Sequence, residues 1–253
     1  LQRSCIVDPV NASVPGCKFY AQQGNTVDTT VLRMLGAHLG RCCGLPPQAR
    51  AAWAADPVTS WCATCDLGTV QRGGTFLEIG ARTGLQASNS LAFEQQLGWR
   101  GFCIEAVGRN FLSLRANRPA CWTYHGVATN LYPHGTVITI GGGLNHSAKG
   151  GRAVRAPVLH LQRLFDERGV RQLDFASIDV EGSEEGVLRT IDLSRTTVKR
   201  LLVERPSAAV LALLTQSGFA RVPDFTTAMG DVLFTHSSVD RRAGASGKRV
   251  VRP

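Results

Sequence analysis

The residues best suited to chemistry are glycines and acids that recur at the ends of apolar runs. Gly74-Thr-Phe-Leu-Glu-Ile-Gly-Ala-Arg-Thr-Gly84 carries Phe76, Leu77 and Ile79, followed by Gly80 and Gly84. Such a run reads as a short buried strand, and glycines at its end let the backbone approach a ligand that a Cβ would hold off. Trp99-Arg-Gly-Phe-Cys-Ile-Glu105 is a second apolar run, and it ends in an acid 25 residues after Gly80. A carboxylate at that distance suits the paired hydroxyls of a ribose. The glycines are spaced GxxxG rather than GxGxxG, so the fingerprint of a pyrophosphate site is missing. A nucleoside without phosphates fits better, S-adenosyl-L-methionine foremost. Farther on, Asp174 to Asp179 is another apolar run ending in acids, Asp179 and Glu181.

The elements that must position these residues alternate in type. Strand 75–79 leads to helix 86–97, strand 101–105 and helix 109–117. Cys121 to Val127 reads as a third strand, and a long polar loop runs to about Ala156. Helix 160–168, strand 174–179, helix 184–191, strand 198–204 and helix 207–217 follow, and 231–236 gives a last strand. This alternation predicts an α/β fold, a mostly parallel sheet with helices on both faces. Ligands bind such sheets beyond the carboxyl ends of the strands, where the strand order reverses. Gly80, Glu105, Ala128 and Asp179 all fall at strand carboxyl ends and are expected to converge on one crevice.

Ahead of this domain, residues 1–67 read as a Cys-rich, mainly helical cap. Val27, Val31, Met34, Leu35 and His38 recur at helical spacing until Gly40, and a shorter helix spans Gln48 to Ala55. Six of the eight cysteines lie before residue 66: Cys5, Cys17, Cys42, Cys43, Cys62 and Cys65. An even cluster in a loop-rich segment points to disulfides and an oxidising compartment. Zinc held by Cys42, Cys43, Cys62 and Cys65 is the rival, disfavoured because an adjacent Cys-Cys pair chelates less well than CxxC. Cys103 and Cys121, in apolar surroundings, read as inert core thiols. Asn11-Ala-Ser and Asn145-His-Ser are N-glycosylation triplets. The secretory pathway is therefore the expected location, with import into an organelle as the alternative.

A net charge of +9 suits acidic glycans, nucleic acid or an anionic membrane surface. The basic residues are scattered, though, except in the flexible tail 237–253, and no aromatic-basic interleaving of the kind that stacks bases is found. A nucleic-acid partner is disfavoured. A protein partner would use the cap or the tail. No apolar run reaches 18 residues, so no transmembrane segment is expected in these residues.

Phe76-Leu-Glu-Ile-Gly-Ala-Arg-Thr-Gly84, Gly98-Trp-Arg-Gly-Phe-Cys-Ile-Glu105, Asn117-Arg-Pro119 and Asp174-Phe-Ala-Ser-Ile-Asp-Val-Glu-Gly182 occur in the order found in FkbM-type methyltransferases. Leu201-Leu-Val-Glu204 and the strand near 231–235 also fit, so the chain resembles that family over roughly residues 68–236. The resemblance implies a Rossmann-like class I fold that methylates an oxygen with S-adenosyl-L-methionine, the acceptor being a glycan or another hydroxylated small molecule. Glu78, Gly80, Ala81 and Gly84 would then lie along the methionine end of the cofactor and Glu105 would take the ribose hydroxyls. Ala128 would edge the adenine, and Asp179 with Glu181 would face the sulfonium and the acceptor.

Methyl transfer to a hydroxyl needs placement of donor and acceptor and a base for the proton. Asp179 is the first candidate for that base, with Glu181 beside it, and His146 in Gly141-Gly-Gly-Leu-Asn-His-Ser147 is a further one. Capping of the following helix is the structural alternative for Asp179 and Glu181. No metal is expected, because Asp179, Glu181 and Glu204 come from separate strands. The chain departs from the family at Ala106-Val107-Gly108 after the ribose acid and at Ala128-Thr129-Asn130, which has no acid for adenine. A non-catalytic scaffold that keeps the fold is therefore the second reading.

Overall fold

The structure, a computed structural model, describes residues 38–41, 63–66, 71–85, 88–141, 153–223, 225 and 230–239. Most of the cap, His146, both glycosylation triplets and the basic tail from residue 240 onward lie outside them. The chain divides into two compact units, one of Leu1–Gly74 with Leu85–Arg100 and one of Thr75–Gly84 with Gly101–Pro253.

In the first unit, β1 (His38–Arg41) pairs antiparallel with β2 (Ala63–Asp66). His38 and Gly40, expected at the end of a helix, are thus in a strand. The helix expected from residue 86 is α1 (Leu91–Leu97). Ser88 Oγ accepts from the Leu91 amide at 3.1 Å, the kind of local bond by which Ser and Asn favour caps over helix interiors. Gly98, at φ 66°, ends the helix. Trp99 then stacks on Phe93 at 5.0 Å and donates its Nε1–H to Gln71 O at 2.8 Å.

In chain order the fold continues with β3 (Thr75–Ile79), β4 (Arg100–Glu105), α2 (Gly108–Asn117), β5 (Trp122–His125), β6 (Val127–Ala128), β7 (Val137–Ile140) and β8 (Val154–Leu159). Then come α3 (Leu161–Glu167), β9 (Gln172–Leu173), β10 (Phe175–Ile178), α4 (Glu184–Leu188), β11 (Thr197–Val198), β12 (Arg200–Val203), α5 (Ala208–Gln216), β13 (Phe219–Arg221) and β14 (Val232–His236). Seven strands form the main sheet in the order β13-β14-β12-β10-β3-β4-β5. β10 pairs parallel with both β3 and β12, β4 pairs parallel with β5, and β14 runs antiparallel to β12 and β13. This is the mixed α/β fold with a parallel-rich central sheet that the alternation predicts. β10 and β12 are buried at every position, as strands covered on both faces must be. Leu161, Leu164 and Phe165 of α3, Val187 and Leu188 of α4 and Val210 and Leu214 of α5 share one core with Leu77, Ile104, Ile178, Leu201 and Val203. From β3 the chain builds outward through β4 and β5, then crosses back to start β10 on the other side of β3. The order reverses between β3 and β10.

Three expectations are corrected. The single strand 121–127 breaks at Gly126, where a Cβ would sit 2.5 Å from Leu159 Cγ and 2.7 Å from Pro157 O. The chain leaves the main sheet there, and β6 joins β8 and β7 in a separate small sheet. The long polar loop therefore holds two strands, and Thr136-Val-Ile-Thr-Ile140 is a β-branched run that strands favour. Cys103 and Cys121 are not free thiols but a disulfide that staples β4 to the start of β5. Replacing both cysteines by alanine should lower the free energy of unfolding in urea by about 3 kcal/mol, the value for a loop of this length. A reductant should produce the same loss in the unmodified protein, and an unchanged midpoint in both cases would rule the cross-link out.

Candidate active site

The β3–β10 register pairs Phe76 with Phe175 and Ile79 with Ile178, which brings Gly80 beside Asp179 at the point of order reversal. Gly80 has φ 82°, and a Cβ there would lie 2.1 Å from the Asp179 carbonyl oxygen. No other residue fits, because the conformation is left-handed and the approach is to backbone.

The turn that follows is tied down internally. The amides of Gly80 and Ala81 both donate to Ile104 O at 3.0 Å, and that of Gly84 to Ala81 O at 2.8 Å. The Arg82 amide donates to Glu105 Oε2 at 2.8 Å. These four amide bonds hold the turn as one unit. Glu105 Oε1 accepts from the Val107 amide at 2.7 Å. The buried Glu105 carboxylate is thus fixed by two backbone donors. Each oxygen keeps a further lone pair, which fits a ribose diol.

Across the reversal point stands an acidic cluster. Asp179, Glu181 and Glu204, which follows β12, each bring an oxygen within 4.8 Å of the others. Arg205 donates to Glu181 Oε2 at 2.9 Å and also to Glu204 Oε1. Glu204 is buried, and among the described residues no group other than Asp179 is placed to donate to its Oε2. Burial pushes the Asp179 carboxyl up to about 8, and a hydrogen bond shared with Glu204 and the charges of Glu204, Glu181 and Asp231 add to it. A proton on Asp179 is the donor that this pair lacks. The spacing is one a divalent cation can bridge, but Arg205 already serves as counter-ion to two of the three acids.

Backbone strain gathers here too. Among the described residues, Arg82, Glu181 and Arg205 are the non-glycine residues with positive φ, at 49°, 57° and 39°. They follow β3, β10 and β12 at the same edge of the sheet, where strain marks functional sites.

Of the residues expected to line one crevice, Gly80, Ala81, Glu105, Asp179 and Glu181 are brought together by these contacts. Gly84 closes the turn. Glu78 is buried, with Oε2 3.5 Å from Arg118 Nη1. Ala128 ends β6, outside the main sheet, and the main-sheet strand beside β4 ends instead at His125. His125 Nε2 is 2.9 Å from Ala106 O, and its ring stacks on Phe111 at 5.3 Å. Sequence reasoning missed Arg205, Asp231, Arg118 and Asn117. The last two stood within the Asn117-Arg-Pro119 motif, but nothing in the sequence signalled the others.

No curated protein sequence matches the chain. Among solved structures, methyltransferase FkbM from Methylobacillus flagellatus aligns at 15% identity and TM-score 0.42, over 65% of this chain and 44% of its own. Fibrillarin from Aeropyrum pernix, solved with natively bound S-adenosyl-L-methionine, aligns at 13% identity and TM-score 0.40, over 65% of this chain and 66% of its own. The precorrin-6y C5,15-methyltransferase of Geobacter metallireducens aligns at 14% identity and TM-score 0.36, over 66% and 80%. The chain thus spans less than half the length of the Methylobacillus protein. The methyltransferase FkbM domain family matches residues 78–219, a span that runs from the end of β3 through Asp179, Glu204 and α5. S-adenosyl-L-methionine as cofactor is consistent with that family. Covering more than half of the chain, this match makes the protein a member of the FkbM methyltransferase domain family.

Proposed function

We propose that the protein is an S-adenosyl-L-methionine-dependent O-methyltransferase acting on a hydroxyl of a glycan or small molecule. The observation that carries this reading is Asp179, a carboxyl pushed up to about 8 at the reversal point of the sheet, beside the Gly80 turn. A base is most effective when its pKa lies near the working pH. The buried disulfide supports an oxidising compartment, and with it the secretory pathway.

In this mechanism Glu105, held by the Arg82 and Val107 amides, would accept from the two ribose hydroxyls. The turn 80–84 would lie along the methionine end. S-adenosyl-L-methionine held there would supply a methyl group on a cationic sulfur, leaving a neutral thioether. Asp179 accepts the proton that the acceptor hydroxyl loses as its oxygen gains the methyl group. Glu204 holds the protonated Asp179 by a hydrogen bond, and Arg205 fixes Glu204 and Glu181 so that neither swings away. The remaining acids suit a positively charged donor, which needs no metal.

Calorimetry should find micromolar binding of S-adenosyl-L-methionine that Glu105→Ala weakens at least about a hundredfold, since a buried acceptor for two hydroxyls is lost. Absence of binding by the unmodified protein would favour a scaffold that keeps the fold.

Asp179→Asn should cut methyl transfer from isotope-labelled cofactor to a panel of hydroxylated glycans by about 10²-fold or more. In the unmodified protein the rate should climb with pH through about 8, where Asp179 ionises, and level off above it. A rate independent of pH from 6 to 9 would exclude Asp179 as the base.

Stability should run the other way. The folded chain keeps a proton on Asp179 that the unfolded chain releases near 3.8. The native state therefore binds more protons over this interval, and stability falls as pH rises from about 4 to about 8. Asp179→Asn should accordingly melt above the unmodified protein at pH 9 and lose that advantage at pH 4. Equal melting temperatures at both values would contradict the assigned shift.

A further inference from the structure

Among the described residues, Arg118 is the largest charged side chain that is fully buried. It is fully buried, its guanidinium lies 5.6 Å from the Phe76 ring centroid, and Nη1 reaches both Glu78 Oε2 at 3.5 Å and Gly84 O at 3.2 Å. A charge is kept in such a place only when paired and hydrogen-bonded. Its neighbour Asn117 donates from Nδ2 to Thr83 O at 2.8 Å. Two consecutive side chains at the carboxyl end of α2 thus hold two consecutive carbonyls of the glycine turn. The fit is close: a Cβ on Gly84 would stand 2.5 Å from Arg118 Cγ and 2.7 Å from Leu114 Cδ1.

The other end of α2 bears on the same crevice. The helix begins at Gly108, directly after the Val107 amide that binds Glu105. One ten-residue helix therefore ties the carboxylate at one end to the turn at the other.

We infer that Asn117 and Arg118 are positioning residues that set the turn 80–84 for the methionine end of the cofactor, at a fixed distance from Glu105. This inference rests on the cofactor reading above. Neither side chain touches the cofactor; each acts through a carbonyl of the turn. Arg118 also pairs with Glu78, whose Oε2 lies 3.5 Å from Nη1. Loosening the turn should therefore weaken recognition of the methionine portion and spare the nucleoside, which Glu105 holds by itself.

The test compares S-adenosyl-L-methionine with adenosine on the full chain by calorimetry. Asn117→Ala should weaken S-adenosyl-L-methionine at least about tenfold, the equivalent of one well-placed hydrogen bond. Adenosine affinity should change less than about twofold on the same scale. Arg118→Lys, which keeps a buried cation for Glu78, should retain more affinity than Arg118→Met. If Arg118→Met fails to fold, the Asn117→Ala and Arg118→Lys pair still decides. Equal weakening of both ligands would mean a general structural defect and overturn the inference, as would no change in either. Failure of the unmodified protein to bind S-adenosyl-L-methionine would instead remove the cofactor reading, and this inference with it.

Discussion

The close approach of Gly80 to the Asp179 backbone is the constraint on which the site depends. Parallel pairing of β3 with β10 puts the two carboxyl ends side by side, and the missing Cβ lets them meet. Everything with chemical potential is arranged around that seam. On one side the turn and Glu105 form a rigid unit through backbone amides. On the other, β10 and β12 deliver Asp179, Glu181 and Glu204 to within reach of one another. An alanine at position 80 would force the strands apart just where donor and acceptor must be aligned.

The two sides of the seam are built on different physics. The Glu105 side is a matter of geometry: amides fix the carboxylate, and α2 fixes the amides and the turn. The Asp179 side is a matter of burial and charge. Burial pushes the Asp179 carboxyl up to about 8, and the hydrogen bond shared with Glu204 and the charges of Glu204, Glu181 and Asp231 add to it. That arrangement costs stability above pH 8 and gains a base whose affinity for protons suits its task. Backbone strain at Arg82, Glu181 and Arg205 belongs to the same pattern, with a fold deformed where it must present side chains.

Much of this was legible in the sequence because it rests on local patterns. The apolar runs ending at Ile79 and Glu105 place two strand ends to the residue, the run ending at Asp179 places a third within one residue, and alternation gives the mostly parallel sheet. What was not legible depends on contacts between distant residues. Gly126 looks like any glycine in a strand, yet its closeness to Leu159 and Pro157 diverts the chain and takes Ala128 out of the main sheet. Cys103 and Cys121 sit 18 residues apart in apolar runs, and only the pairing of β4 with β5 shows that they bond. Glu78 reads as a ligand because it precedes the turn, and only the fold shows that the buried Arg118 stands 3.5 Å from its Oε2. Arg205 and Asp231 carry no motif at all; their part in the acidic cluster follows from folding alone.

Amide hydrogen exchange with and without S-adenosyl-L-methionine tests the central claim most directly, since it reads the seam without requiring an acceptor. The account expects slower exchange on addition of the cofactor at residues 80–84 and 105–107. Residues 172–175, where Asp174 accepts from the Thr75 amide at the opposite end of the strands, should not change. Protection confined to the opposite end, or no protection anywhere, would contradict it.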